Sequence, residues 1–280
     1  MPKKAAVLGW YGHNSFGDDL ILEGIRAQYS DWQIVPMSHL NIKEINNCDL
    51  LILGGGELIP DWLYIRQLPR FVRGLSKKLF KRCSWVNKIE VPKIVLGCGV
   101  DAEQVTEETV SALEQFNSIG LRDKTSVELL KKHKRLEHKT YLSYDMAFNL
   151  KPTIKQVTVD KDLVVVIPTD RNNSIAYKSV DWLINELKSY KKVVFLAFGT
   201  EDNNDYRTCE LLSKYTKKCV IIRYNQLTLN KVVDIMLWAN KIVSYRLHGM
   251  LLAHMLGKPY SFYPYHPKLT KNYETLFTVT

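Results

Sequence analysis

Short apolar runs that stop at a glycine set the frame for this chain. Val7-Leu8 stops at Gly9, Leu51-Ile52-Leu53 at Gly54-Gly55-Gly56, and Val95-Leu96 at Gly97. Runs of this length with no polar interruption belong to strands covered on both faces. Helical spacing of apolar residues separates them, as at Leu20, Ile21 and Ile25 and again over Thr106–Phe116. Strands are expected at Ala5–Trp10, Gln33–Met37, Leu50–Leu53, Lys93–Leu96, Ser118–Leu121 and Tyr141–Ser143. The polar stretch 151–161, which contains Pro152, reads as a linker. Beyond it the alternation restarts with strands at Leu163–Ile167, Lys192–Ala197, Val220–Ile222, Lys241–Val243 and Tyr260–Tyr263. Strands alternating with helices predict parallel, doubly wound sheets. The chain is therefore expected to be α/β, with domains 1–150 and 162–280 facing a cleft.

One junction stands out chemically. The run Ile242-Val243 ends at Ser244-Tyr245, and a helical pattern begins at once, with Arg246 and His248 two residues apart. Gly257 and Pro259 stop that helix. In open α/β sheets ligands bind beside the carboxyl ends of strands, near helix N-termini. Arg246 stays charged and grips a carboxylate or phosphate with two parallel bonds. The imidazole of His248 can give or take a proton. The bland alternative is an arginine pairing with acids and a histidine packed on the sheet; His254, further along, reads as packing.

The first glycine loop, Gly9-Trp-Tyr-Gly12-His-Asn14-Ser-Phe-Gly17-Asp18, has neither the dinucleotide nor the Walker spacing. Asn14 and Asp18 suit sugar hydroxyls, while Asp18 equally suits a helix cap. The triple glycine at 54–56 marks a place where backbone comes close to a ligand or to a neighbouring helix.

The formal net charge is +10, which favours anionic partners. From Trp62 to Ile89 there is no acidic residue and there are eight basic ones: Arg66, Arg70, Arg73, Lys77, Lys78, Lys81, Arg82 and Lys88. With Phe80 and Trp85, residues 66–88 could rest on an anionic bilayer, or form a solvated helix face. No nucleic-acid module is readable. No apolar run approaches the roughly 20 residues of a membrane span, and the N-terminus lacks a signal-peptide core. A cytoplasmic protein, peripheral at the membrane's inner face, is expected. Five cysteines without C-x-x-C pairing predict buried thiols, not a disulfide framework or zinc site.

In order along the chain, Gly9-Trp-Tyr-Gly12…Asn14…Gly17-Asp18, Leu53-Gly54-Gly55-Gly56, Leu96-Gly97-Cys-Gly99, Arg122-Asp-Lys-Thr-Ser126, Tyr144-Asp145-Met-Ala-Phe148 and Ser244-Tyr-Arg246-Leu-His248-Gly…Gly257-Lys-Pro259 resemble the motifs of polysaccharide pyruvyl transferases. That resemblance implies two Rossmann-like domains in a GT-B-like arrangement. It implies transfer of a pyruvyl unit from phosphoenolpyruvate to two hydroxyls of a sugar or lipid-linked oligosaccharide, giving a cyclic ketal and phosphate, with no cofactor or metal. Arg246, Arg171 and Lys268 would then hold the donor's carboxylate and phosphate, and His248 would protonate the enol carbon. Gly12, Asn14, Asp18, Gly55 and Gly56 would hold the acceptor. Asp145 would act on an acceptor hydroxyl, unless it is a cap. The competing expectations are a nucleotide-sugar glycosyltransferase of related architecture and a non-catalytic sugar-binding protein. The absence of Asp and Glu from Tyr245 to Gly257 weighs against the former.

Overall fold

The computed structural model describes residues 2–56, 85–152, 156–169, 173–199, 205–216 and 218–276. The chain forms two compact units. The first comprises Met1–Tyr11 and Ile21–Asn149, and the second Gly12–Leu20 and Leu150–Thr280.

The first unit carries strands β1 (Lys4–Leu8), β2 (Gln33–Met37), β3 (Leu50–Gly54), β4 (Lys93–Cys98), β5 (Ser118–Leu121) and β6 (Thr140–Leu142). They pair in parallel in the order β2-β1-β3-β4-β5-β6. Successive side chains of a strand point to opposite faces, and both faces here are apolar. Ala6, Leu8, Leu51 and Leu53 join one core with Val95 and Phe116, while Ala5, Val7 and Ile52 join the other with Ile21, Ile25 and Leu96. Burial of each such side chain contributes about 1.5–3 kcal/mol. Ile52→Ala would open a cavity costing about 2–5 kcal/mol. Helix α1 (Phe16–Gln28) begins in the second unit's segment and continues into the first. Helices α2 (Ile42–Asn46), α3 (Glu107–Leu113), α4 (Lys124–Lys131) and α5 (Lys134–Glu137) complete the described layers. The five-residue α2 occupies the approach to a stretch that the sequence presents as a simple turn; Asn41 caps it by accepting the Glu44 N–H at 3.3 Å.

The second unit carries β7 (Asp160–Ile167), β8 (Lys192–Ala197), β9 (Cys219–Arg223), β10 (Ala239–Ser244) and β11 (Tyr260–Phe262). Their parallel order is β11-β10-β7-β8-β9. Helices α6 (Asn173–Lys178), α7 (Val180–Leu187), α8 (Asp205–Ser213), α9 (Leu229–Trp238), α10 (Leu247–Met255) and α11 (Pro267–Leu276) connect or follow them. Val164, Val166, Phe195, Val243 and Tyr245 share a core with Leu183, Cys209 and Leu212.

Strand order reverses direction at one place in each sheet. In the first it lies between β1 and β3, and in the second between β7 and β10. The connections leave such a switch point in opposite directions, so a crevice opens beyond the strand ends. The loops Gly9–Gly12 and Gly54–Gly56 leave the first switch point, while Thr169 and Arg246 follow the second.

Two expectations need correction. β7 starts at Asp160, inside the stretch read as linker: Asp160 pairs with Ala239, and its carboxylate takes Lys192 Nζ at 2.7 Å. Trp85 does not face a membrane. It is 3% exposed and packs into the first unit's core beside Val86 and Ile89, because a large apolar ring gains more from burial than its basic neighbours suggested. The rest of the basic stretch up to residue 84 lies outside the described residues. Among the described residues no helix is long and apolar enough to cross a membrane.

Candidate active site

The β10–α10 junction is closed by Ser244. Its hydroxyl accepts the Arg246 N–H at 3.1 Å and donates to the Arg246 carbonyl at 2.7 Å. Arg246 is thereby left extended at the N-cap of α10 (φ −112°, ψ 138°), with no capping side chain. Tyr245 points the other way, into the core. Its ring packs against Trp182 and Tyr263, and its hydroxyl meets Ser179 Oγ at 2.9 Å. Burial pushes the Tyr245 hydroxyl above the ordinary tyrosine range, so it serves as a wedge that fixes the junction.

Arg246 is anchored from a second strand end. Its Nη2 lies 2.6 Å from Asp205 Oδ1 at the start of α8, and Asp205 Oδ2 accepts the Gly199 N–H at 2.8 Å. Asp205 is fully buried. Burial acts to lower the Arg246 pKa, but the charge and hydrogen bond of Asp205 outweigh it and the net shift is upward. The guanidinium is therefore a fixed cation. Its Nε is buried and has no hydrogen-bond partner among the described residues. An orphaned buried donor of this kind costs about 1–3 kcal/mol, more when charged. Asp205 was not legible as a site residue, because an aspartate opening a helix reads as a cap. The available signal was its place just after the end of β8.

The first glycine loop joins this site. Gly12–Leu20 belongs to the second unit, although in sequence it precedes the first unit's helix. Ser15 bridges Gly199 in antiparallel fashion, and the Phe16 N–H donates to the Phe198 carbonyl at 3.1 Å. The Phe16 ring lies 3.9 Å from that of Phe198 and edge-on to Tyr224, whose hydroxyl donates to Asp19 Oδ2 at 2.9 Å. Gly17 lies against the catalytic candidate itself: a Cβ there would sit 2.3 Å from His248 Nδ1. Only glycine permits that approach. Asp18 acts electrostatically on Arg246. Gly12, Asn14 and Asp18, expected on the first half as acceptor residues, thus belong to the same unit as Arg246 and His248. His254 stacks edge-to-face with Tyr260 at 6.2 Å.

The remaining candidates separate. Lys268 is the second residue of α11 in the same unit, where its carbonyl accepts Asn272 Nδ2 at 2.8 Å. Arg171 lies outside the described residues. Gly55 and Gly56 follow β3 with φ of +73° and +69°. A Cβ on Gly55 would meet Ile21 Cγ2 at 2.4 Å, so this glycine admits a helix against the strand end. Asp145 is buried, and its Oδ1 accepts the Ala147 N–H at 3.0 Å, the geometry of a cap. Asp123 and Ser126 of the Arg122-Asp123-x-x-Ser126 segment are likewise built into the scaffold. Asp123 caps α4 through Ser126 N at 2.8 Å and binds Ser126 Oγ at 2.9 Å, while that hydroxyl accepts the Val100 N–H at 3.0 Å.

Cys48, Cys98, Cys209 and Cys219 form no disulfide. Burial pushes the Cys98 thiol up to about 12 and raises Cys209 well above its usual value, so neither is a nucleophile at neutral pH. Among the described residues no group of three or more His, Cys, Asp or Glu could hold a metal ion.

Known structures share this fold. A functionally uncharacterised protein from Klebsiella pneumoniae superposes with a TM-score of 0.56 at 16% identity, covering 98% of this chain and 89% of its own. The UDP-GlcNAc 2-epimerase of Methanocaldococcus jannaschii, solved with UDP-GlcNAc and UDP, gives 0.58 at 12% identity over 93% of this chain and 83% of its own. S. aureus MnaA with UDP gives 0.56 at 13% identity over 99% and 87%. At such identities these likenesses show the fold alone. No curated protein matches in sequence. The profile of one family matches residues 6–267, almost the whole chain. With the Arg246/His248 junction at the second switch point, that match settles the assignment: the chain belongs to the polysaccharide pyruvyl transferase family.

Proposed function

We propose that this protein transfers a pyruvyl group from phosphoenolpyruvate to two hydroxyls of a sugar, in a surface polysaccharide or its lipid-linked precursor, releasing phosphate. The observation that carries this reading is Arg246: a buried cation, fixed by Asp205, whose Nε–H has no acceptor among the described residues, two residues from an imidazole. Phosphoenolpyruvate presents a carboxylate and a phosphate close together, and fixed positive charge is what such a ligand requires. His248 gives a proton to the methylene carbon, and positive charge develops at C2. One sugar hydroxyl bonds to C2 and loses its proton. The C2–O bond to phosphate then breaks, and the second hydroxyl closes the ketal as its proton leaves. Of the two hydroxyl protons, one restores His248 and the other leaves with phosphate. Asp18, whose charge is felt at Arg246, would accept a hydroxyl hydrogen bond from the acceptor. Lys268 and Arg171 would add charge around the donor.

The test is acceptor-dependent phosphate release from phosphoenolpyruvate across a panel of sugars and sugar-lipids. Silence over the panel together with consumption of a UDP- or GDP-sugar would replace this reading with glycosyl transfer. The basic residues of 66–88 would suit an anionic bilayer near a lipid-linked acceptor, and contact with the inner face of the membrane is part of this proposal. Neutralising Arg70, Arg73, Lys77 and Lys81 should weaken co-sedimentation with phosphatidylglycerol vesicles; unchanged sedimentation contradicts the membrane contact.

A further inference from the structure

Thr169 lies just past the end of β7. It is 1% exposed, and its Oγ1 is buried without a hydrogen-bond partner among the described residues. A hydroxyl rotates freely to find a partner, so an orphan in a buried position marks a place where the partner is not protein. The sheet register says where it lies. Ile167 pairs with Ser244 across the switch point, and the Tyr245 N–H still donates to the Ile167 carbonyl at 2.8 Å. Thr169 and Arg246 are therefore register-equivalent, each two residues past a paired position on adjacent parallel strands. One carries an orphaned hydroxyl and the other an orphaned Nε–H.

We propose that Thr169 and Arg246 form a two-point oxyanion subsite in which a ligand oxygen receives the Thr169 Oγ1–H and the Arg246 Nε–H. This rests on the donor reading above and adds Thr169 as a binding and specificity residue for the anionic donor. The subsite is complementary in kind: Arg246 supplies charge, and Thr169 supplies a neutral directional donor that fixes the oxygen's position.

Calorimetric titration and thermal unfolding of wild type, Thr169→Val and Thr169→Ser test it, with phosphoenolpyruvate, inorganic phosphate and pyruvate as ligands. Thr169→Val should leave the unliganded Tm unchanged or higher, because valine removes a buried hydroxyl that has no partner among the described residues. It should raise the Kd for phosphoenolpyruvate about tenfold, the value of roughly one hydrogen bond to an anion. Thr169→Ser should restore binding. Weakening that persists with phosphate alone places the oxyanion on the phosphate end, and weakening with pyruvate alone on the carboxylate end; either supports the subsite. If wild type binds phosphoenolpyruvate and Thr169→Val binds it equally well, the subsite is wrong and the donor reading stands. If valine lowers the unliganded Tm with affinity unchanged, the role is structural. If wild type binds none of the three ligands, the subsite and the donor reading fall together. Thr169→Ala carries the same comparison should valine not be accommodated.

Discussion

The two halves of this chain use motif residues in opposite ways. In the first unit, Asp123, Ser126 and Asp145 direct their polar atoms at helix termini and loop backbone, and Gly55 makes room for Ile21. In the second, Asp205 holds Arg246 and Gly199, and among the described residues Arg246 Nε and Thr169 Oγ1 stay buried without partners. Asp123, Ser126 and Asp145 Oδ1 bind backbone and caps, whereas the Asp205–Arg246 pair fixes a cation whose Nε stays open among the described residues. A polar atom satisfied by backbone serves folding, while a buried donor left over is open to a ligand.

That contrast predicts different failures. Arg246→Met should have the largest effect. It leaves the fully buried Asp205 carboxylate uncompensated, at a cost of about 3–5 kcal/mol in denaturant unfolding, and removes the donor anchor, so kcat/KM should fall at least ~10³-fold. Normal stability with normal turnover would remove Arg246 from both roles. Gly17→Ala is next. Its methyl group would fall 2.3 Å from His248 Nδ1, so the imidazole or the loop must shift. Turnover should drop by about 10–10²-fold, the scale of a misplaced catalytic group, with a smaller change in Tm. Full activity would mean that this approach is irrelevant to chemistry. Asp123→Ala should be the mildest in function. Loss of the α4 cap should cost about 0.5–2 kcal/mol of stability, with kcat/KM of the remaining folded enzyme unchanged. A collapse of turnover without loss of stability would break the comparison.

Element types were largely legible because apolar runs and helical spacing are local signals. Strand order was not, since pairing β7 with β10 joins residues about 80 positions apart in sequence. The switch points, and with them the argument for where ligands bind, therefore appear only in the fold. Arg246 and His248 were readable from their junction, whereas Asp205 was hidden behind its helix-opening position. The first glycine loop reads as suited to sugar hydroxyls through Asn14 and Asp18, but nothing local discloses that Gly17 faces His248 or that Ser15 bridges Gly199. Trp85 was misread because the basic residues before it dominate the local composition, while its fate was set by a core assembled from distant strands.

The central claim is that this junction activates phosphoenolpyruvate through His248. The most direct test is acceptor-dependent phosphate release by wild type and His248→Ala side by side, with donor binding measured on both. The account predicts release by wild type, a loss of at least ~10²-fold in the variant, and donor affinity largely retained. Equal release from both proteins, or no release from wild type while a nucleotide-sugar is consumed, would contradict it.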